Sequence, residues 1–422
     1  MNRLRLVCVN LVLCSFIIPS LCQAVPELKL VHVLFAHKLY APREDNAMKK
    51  NETGIPEILS YKYFTSAALS LPMKAHLNMY NFGVYLRERY DKFLGDTYTS
   101  EVMKMHTTEY PLSMLSAQLV NAGLWPPVGN QIWFEGINWQ PIPTEYQELK
   151  EDTLLMGSVC PNFVLQMDQV LQKTETQKMT VQYQPLFEHL SRYTRRNIRT
   201  PTDVALLYAA LETMTDRNET LPNWAIDVFP HGAMYDATLL EYDLLSTTPL
   251  QKQLNGGTFL KEIIGNSLQY KIGELSAERK MILYSGDERN IVGVLKNLNL
   301  WSPHIPNEAA ALIFELYFNN DTNMYGMKIN YYTGIDGTII PLILSNCTEI
   351  CPLRTLINVT FDMIPENPQS LCGWPMEDQL EENKKTDTSN YNGCASCHSK
   401  ELLLIFTLLY FVPFAVRMLK GE

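Results

Sequence analysis

The chain lacks a surplus of positive charge. Its 35 lysines and arginines are outnumbered by 45 aspartates and glutamates, for a formal net charge of −10. That excludes nucleic acid as the main partner, because a phosphate backbone is held by clustered cations. Charged residues of both signs are only 19% of the 422 residues, against 46% hydrophobic. Wholesale disorder is therefore excluded, and a sizeable core is within reach. No internal repeat is visible, so a solenoid is excluded too. The length suits one large domain carrying an insert, or a few smaller ones.

Long apolar runs are scarce, and they lie at the two ends. Arg3 and Arg5 precede Leu6 to Ile18, and Cys22-Gln23-Ala24 offers a cleavage site. Residues 1–24 therefore read as a secretory signal peptide, with an uncleaved anchor as the alternative. Leu402 to Val416 is followed by Arg417 and Lys420. Taken as 401–419 with Arg417 snorkelling, this run approaches the roughly 20 residues a bilayer needs, with its basic end cytoplasmic. The expectation is a type I membrane protein with a polar juxtamembrane linker over 376–400. The alternatives are a lipid-anchor signal attached near Asn392-Gly393-Cys394 and a helix packed in the core. The expected location is the secretory pathway, at the cell surface or lysosomal membrane, with the main domain luminal or extracellular.

Cysteine is sparse as well. Six of the nine remain once the signal is removed. Cys347 and Cys351 are close enough for a local bridge. Cys160 and Cys372 are candidates to close a long loop, and Cys394 and Cys397 sit beside the membrane run. Spacing alone leaves the pairing open. Cys394 to His398 also matches the C-x-x-C-H haem-attachment pattern, but lies in a polar linker with no domain to enclose a haem. No cofactor and no metal site is assigned. Sequons at Asn51, Asn218, Asn320, Asn346 and Asn358 point to a glycosylated surface.

Leu28 to Phe35 is rich in Val and Leu and reads as a buried strand, with His37 at its carboxyl edge. Phe82, Tyr85, Leu86, Tyr90 and Phe93 recur at helical spacing, with Arg87 and Arg89 read as solvated-face charges. Pro111 opens a second helix, bearing Leu112, Leu115, Leu119 and Val120, which Trp125-Pro126-Pro127 ends. Residues 160–250 are mostly helical, and Thr202-Asp203 is read as a cap before Val204, Leu207, Leu211 and Met214. Met281 to Ser285 is a short strand, then a charged turn (Gly286 to Asn290), then a helix from Ile291 to Leu300. Phe314 to Phe318 and Met327 to Tyr332 are further strands. Alternating strands and helices predict an α/β domain over 25–125 and 255–375, with 126–254 inserted as a helical cap. His37 and the turn at Asp287 both follow strands, and open α/β sheets bind ligands at the carboxyl ends of their strands.

At these positions the chain resembles the histidine acid phosphatases, particularly the prostatic and lysosomal branch. Their signature R-H-G-x-R-x-P reads here Ala36-His37-Lys38-Leu39-Tyr40-Ala41-Pro42. Their Y-S-A-H-D reads Tyr284-Ser285-Gly286-Asp287-Glu288. The arginine opening R-S-T-D-x-D-R-T falls on His106. The scaffold matches better: Tyr85 to Tyr90, Cys160-Pro161, Leu221 to Ala225, Gly256-Gly257 and Phe314 to Tyr317 all have counterparts. The resemblance covers about Leu28 to Cys372. It implies a phosphoglycerate-mutase-like α/β sandwich with an inserted helical cap, disulfides Cys347–Cys351 and Cys160–Cys372, and a homodimer.

The family's reaction, as the resemblance implies it, passes through a phosphohistidine, with a carboxylic acid protonating the leaving oxygen. His37 would be the nucleophile and Glu288 the proton donor. Tyr40, His106 and Asp287 stand where the family meets the substrate; Lys38, Arg43 and Arg289 are the nearby cations that would rescue the lost charge, although Lys38 offers a point charge rather than a fork and Arg43, past the proline, points elsewhere. Arginine suits phosphate because its planar fork binds two oxygens and keeps its charge. Here all three matched arginines are replaced, and Asp287 places a carboxylate where a histidine stood. One transition-state arginine is worth about 10³ to 10⁵ in rate. Two readings follow. One is a glycoprotein with much reduced phosphomonoesterase activity that acts by binding an unidentified ligand. The other is an active acid phosphatase hydrolysing phosphomonoesters. Structurally, His37 could equally be satisfied by hydrogen bonds at a strand end, and Asp287 and Glu288 could lie in a solvated turn.

Overall fold

The computed structural model describes residues 25–38, 72–334 and 337–374. Residues 1–24, read above as a signal peptide, together with Tyr40, Arg43, Asn51, the stretch with Cys394, Cys397 and His398, and the C-terminal apolar run, lie outside the described residues. Among the described residues, no helix is long and apolar enough to cross a membrane.

The central strand is β1 (Glu27–His37), buried from Leu30 onward on both faces. Successive side chains of a strand point to opposite faces, so its apolar run serves two cores at once. Leu30, Leu34 and Ala36 join one core. Val31, Val33 and Phe35 join the other. The sheet is completed by β2 (Met103–Thr108), β3 (Glu145–Gln147), β4 (Met281–Asp287), β5 (Ala311–Asn319), β6 (Met324–Tyr332), β7 (Ile339–Leu342) and β8 (Ile350–Pro352). Their order is β3-β2-β4-β1-β5-β6-β7, with β8 also on β6. Strands β3, β2, β4 and β1 run parallel, and β5 to β8 are antiparallel additions.

Helices cover both faces. On the side of Phe35 lie α1 (Met73–Leu94) and α2 (Pro111–Leu124). Between β3 and β4 the chain runs through α3 (Pro161–Gln172), α4 (Thr174–Thr180), α5 (Gln184–Thr194), α6 (Pro201–Asp216), α7 (Ala233–Leu244), α8 (Pro249–Lys252) and α9 (Thr258–Ile272). Helix α9 packs on the Leu34 face with α10 (Glu288–Asn297) and α11 (Leu353–Thr360); α12 (Pro368–Cys372) follows. Gly256, at φ +103°, lets the turn before α9 meet α10, since a Cβ there would lie 2.6 Å from the backbone of Gly293. Both disulfides implied by the resemblance are present, Cys160–Cys372 and Cys347–Cys351. The described sequon asparagines, Asn218, Asn320, Asn346 and Asn358, are all exposed.

Three local expectations need correction. Helix α6 is capped by Thr200, not at Thr202-Asp203. The Thr200 side chain accepts from the Asp203 N–H and Asp203 answers, while Pro201 fills the first helical position, where no N–H is needed. Arg89 is not merely solvated: its guanidinium lies 2.8 Å from the buried Glu315 carboxylate, which also accepts from the Tyr90 hydroxyl at 2.6 Å. The charged stretch after β4 is not a turn, because α10 begins at Glu288 and Asp287 caps it.

Candidate active site

Strand β1 delivers His37 to the carboxyl edge of the sheet, paired in register with Asp287 at the end of parallel β4. The His37 ring is almost fully buried. Its Nδ1 lies 2.9 Å from the Lys38 carbonyl oxygen and its Nε2 lies 2.9 Å from the Ser113 hydroxyl. A carbonyl only accepts, so these partners assign the proton to Nδ1. In the neutral ring, Nε2 then accepts from Ser113. Burial lowers the imidazole pKa, against the opposing pull of the Lys38 carbonyl and Asp287. Ser113 sits in the first turn of α2, and its own carbonyl accepts from the Ser285 hydroxyl at 2.9 Å. One residue thus ties α2 to both β1 and β4.

The neighbouring cations are already engaged. The Lys38 ammonium lies 2.8 Å from the Glu212 carboxylate of α6, and its backbone N–H donates to Glu308 at 3.1 Å. Burial pulls the Lys38 pKa down, but Glu212, with Asp216 and Glu308, outweighs it and the net shift is upward. Arg289 is buried against Glu241 of α7, with guanidinium-to-carboxylate distances of 3.4 Å, and lies 3.7 Å from Glu288. Burial raises the Glu241 pKa even against this partner.

A helix N-terminus is a ready anion site, since its first N–H groups point outward and its dipole favours negative charge. In α10 that place is taken. The Asp287 carboxylate accepts from the N–H groups of Arg289 at 2.9 Å and Asn290 at 3.2 Å, while the Asn290 side chain accepts from the Asp287 N–H. Glu288 is buried behind it, and its Oε2 has no hydrogen-bond partner among the described residues. Burial first, then Asp287, raises its pKa to about 8, with Arg289 opposing. Glu288 is therefore a protonated acid at neutral pH.

His106 is not brought into this cluster. In β2 it stands opposite Tyr284, one step from the Met105–Leu283 pair. Met105 and Leu283 belong to the core shared with Val33 and Phe35, the face from which His37 reaches Ser113. Strand alternation puts His106 on the other face, stacked on the Tyr284 ring at 5.3 Å. Tyr40 lies outside the described residues. Sequence reasoning missed Ser113, Glu212, Glu241 and Glu308. Two of them carried a signal: Glu212 and Glu241 each interrupt an apolar helical stretch, and a carboxylate drawn partly or wholly out of water requires a partner.

The arrangement can hold a neutral imidazole and a neutral carboxylic acid. Among the described residues it offers an incoming anion no cation that is not already paired with a carboxylate. The family model for the histidine phosphatase superfamily (branch 2) matches residues 32–331. The chain belongs to that family. It is 34% identical over 357 residues to venom acid phosphatase Acph-1 of Apis mellifera, covering 85% of this chain and 90% of the relative. To the prostatic acid phosphatase of Bos taurus it is 27% identical over 372 residues, covering 86% and 90%. To the lysosomal acid phosphatase of Rattus norvegicus it is 27% identical over 346 residues, covering 80% and 79%. The phytase of Klebsiella sp ASR1 shares the fold with a TM-score of 0.61 at 14% identity, covering 83% of this chain and all of that one. The mixed α/β sandwich with added helices is thus the histidine phosphatase architecture.

Proposed function

We propose that this histidine phosphatase homologue is a secretory-pathway glycoprotein whose His37 site has lost most phosphomonoesterase activity and which acts by binding. The observation that carries the reading is the pairing of Lys38 with Glu212 and of Arg289 with Glu241. With Asp287 on the α10 N-terminus, the cleft presents carboxylates where a phosphate dianion needs positive charge. Two disulfides and four exposed sequon asparagines support an oxidising, glycosylating compartment. Attachment through 401–419 and a homodimer belong to the same proposal. Sedimentation tests the dimer, and detergent partitioning of the full chain tests the attachment.

One observation favours a second reading. A Glu288 whose acid form is favoured by burial, one residue beyond Asp287, the register partner of His37, supplies an acid and a nucleophile of the types phosphomonoester hydrolysis uses. A single assay separates the two: hydrolysis of an aryl phosphate from about pH 4 to 8 beside a His37→Ala control. Equal rates in both proteins support the binding reading. Robust turnover that vanishes in the variant establishes the phosphatase.

A further inference from the structure

A cavity of about 380 Å³ opens on the face of the sheet opposite His37. Its wall includes His106 of β2, Glu145 and Tyr146 of β3, Asp152, and Lys261 and Glu262 of α9. Asp152 is 4% exposed; its Oδ1 accepts from the Leu155 N–H at 2.8 Å, while its Oδ2 has no hydrogen-bond partner among the described residues. A buried carboxylate oxygen without a donor is costly, and it marks a place where a donor belongs.

Two more carboxylates, Glu145 and Glu262, stand in the wall. Glu262 is oriented by the Asn266 amide at 3.0 Å, and that amide also reaches the Tyr284 hydroxyl at 3.4 Å. Glu145 lies 3.3 Å from the Lys104 ammonium and 3.8 Å from His106 Nδ1. Burial lowers the His106 pKa, against the opposing pull of Glu145 and Glu262, which disfavours a positive charge on that ring. The Lys261 ammonium is turned away from its own wall, donating to the carbonyls of Pro365 at 3.0 Å and Glu366 at 2.7 Å. The Tyr146 ring is half exposed at the edge, where it can cover an organic cation. Among the described residues no group of three or more His, Cys, Asp and Glu side chains is placed to hold a metal ion.

We infer that this cavity binds a small organic amine, whose ammonium donates to Asp152 Oδ2 and Glu262. Burial raises the Asp152 pKa to about 6 against the N–H groups of Leu155, Leu154 and Met156, so the carboxylate is still stabilised by acquiring a cation. The site is independent of the His37 cleft and stands whether or not that cleft hydrolyses phosphate.

Calorimetric titration with spermidine at constant ionic strength tests it. Saturable one-to-one binding is expected, weakened by about tenfold or more in Asp152→Asn and in Glu262→Gln. A neutral diol of the same length should not bind. Asparagine at 152 keeps an acceptor for the Leu155 N–H, and equal thermal midpoints confirm that the variant folds. Should it not fold, the partly exposed Glu262→Gln carries the test alone. Absence of saturable heat, equal spermidine affinity in wild type and a folded variant, or equal binding of the diol would each overturn the assignment. Equal affinity would mean that spermidine simply adheres to a protein of net charge −10.

Discussion

The Nε2 of His37 and the hydroxyl of Ser113 lie 2.9 Å apart, and both residues are buried. The nitrogen that would attack a phosphorus is thus already a hydrogen-bond partner inside the fold. Truncation at Ser113 should leave it without one. Ser113→Ala is expected to cost about 1–3 kcal/mol, the penalty of an unsatisfied buried acceptor. The backbone link from Ser285 survives the change. Denaturant unfolding of the two proteins measures the loss; a difference within 0.5 kcal/mol, the order expected of a surface site, would show the bond to be idle.

Glu288 predicts a pH dependence of stability. Its pKa is about 8 in the folded protein against 4.5 for an ordinary glutamate. Folding therefore favours the protonated form, whose contribution is complete below the ordinary value and lost as pH rises through about 8. The native state binds the extra proton over that window, so stability falls with rising pH. His32 and His37, both lowered by burial, act in the opposite sense, but only below the ordinary histidine value of 6.5. Glu288→Gln should accordingly match the wild type only near pH 4.5 and melt increasingly above it as pH rises from there through about 8. Parallel melting curves across that range would contradict the assignment.

Arg289 and Glu241 have side chains 2% and 0% exposed. Removing one partner strands the other charge, so Arg289→Ala should cost about 3–5 kcal/mol. Replacing both with apolar residues of similar volume should cost less than either single change. The double-mutant comparison is made by urea midpoints. A double variant worse than both singles would show that the pair contributes more than its burial costs.

Arg89 separates two views of α1. A charge on a solvated face can be lost within about 0.5 kcal/mol. The ion pair with Glu315, closed by the Tyr90 hydroxyl, predicts more than about 1 kcal/mol for Arg89→Ala, after allowing for its partial exposure. Tyr90→Phe should show a loss of similar size. Equal stability of both variants and wild type would return Arg89 to the surface.

The apolar run of β1 announced a buried central strand, and its ending placed His37 at the sheet edge, as the structure has it. That information is local, carried by residue type and period. His106 is the contrary case. Its position in the chain suggested a phosphate ligand, but strand parity, set by pairing with Tyr284, turns it to the far face. The helix at Glu288 starts earlier than its apolar residues imply because Asp287 and Asn290 cap it, and polar capping residues also read as a turn. Glu212 and Glu241 come from helices far along the chain. Their ion pairs with Lys38 and Arg289 arise from tertiary packing; a glutamate interrupting an apolar helical stretch marks the need for a partner but does not name it.

The central proposal is that the His37 cleft holds no phosphate dianion, because Lys38 and Arg289 are paired with Glu212 and Glu241. Equilibrium binding of inorganic phosphate, followed through the His37 imidazole by NMR at neutral pH, tests this most directly. The account predicts no saturable shift up to phosphate of about 10 mM, a binding free energy weaker than about 3 kcal/mol. Submillimolar binding that disappears in His37→Ala would contradict it.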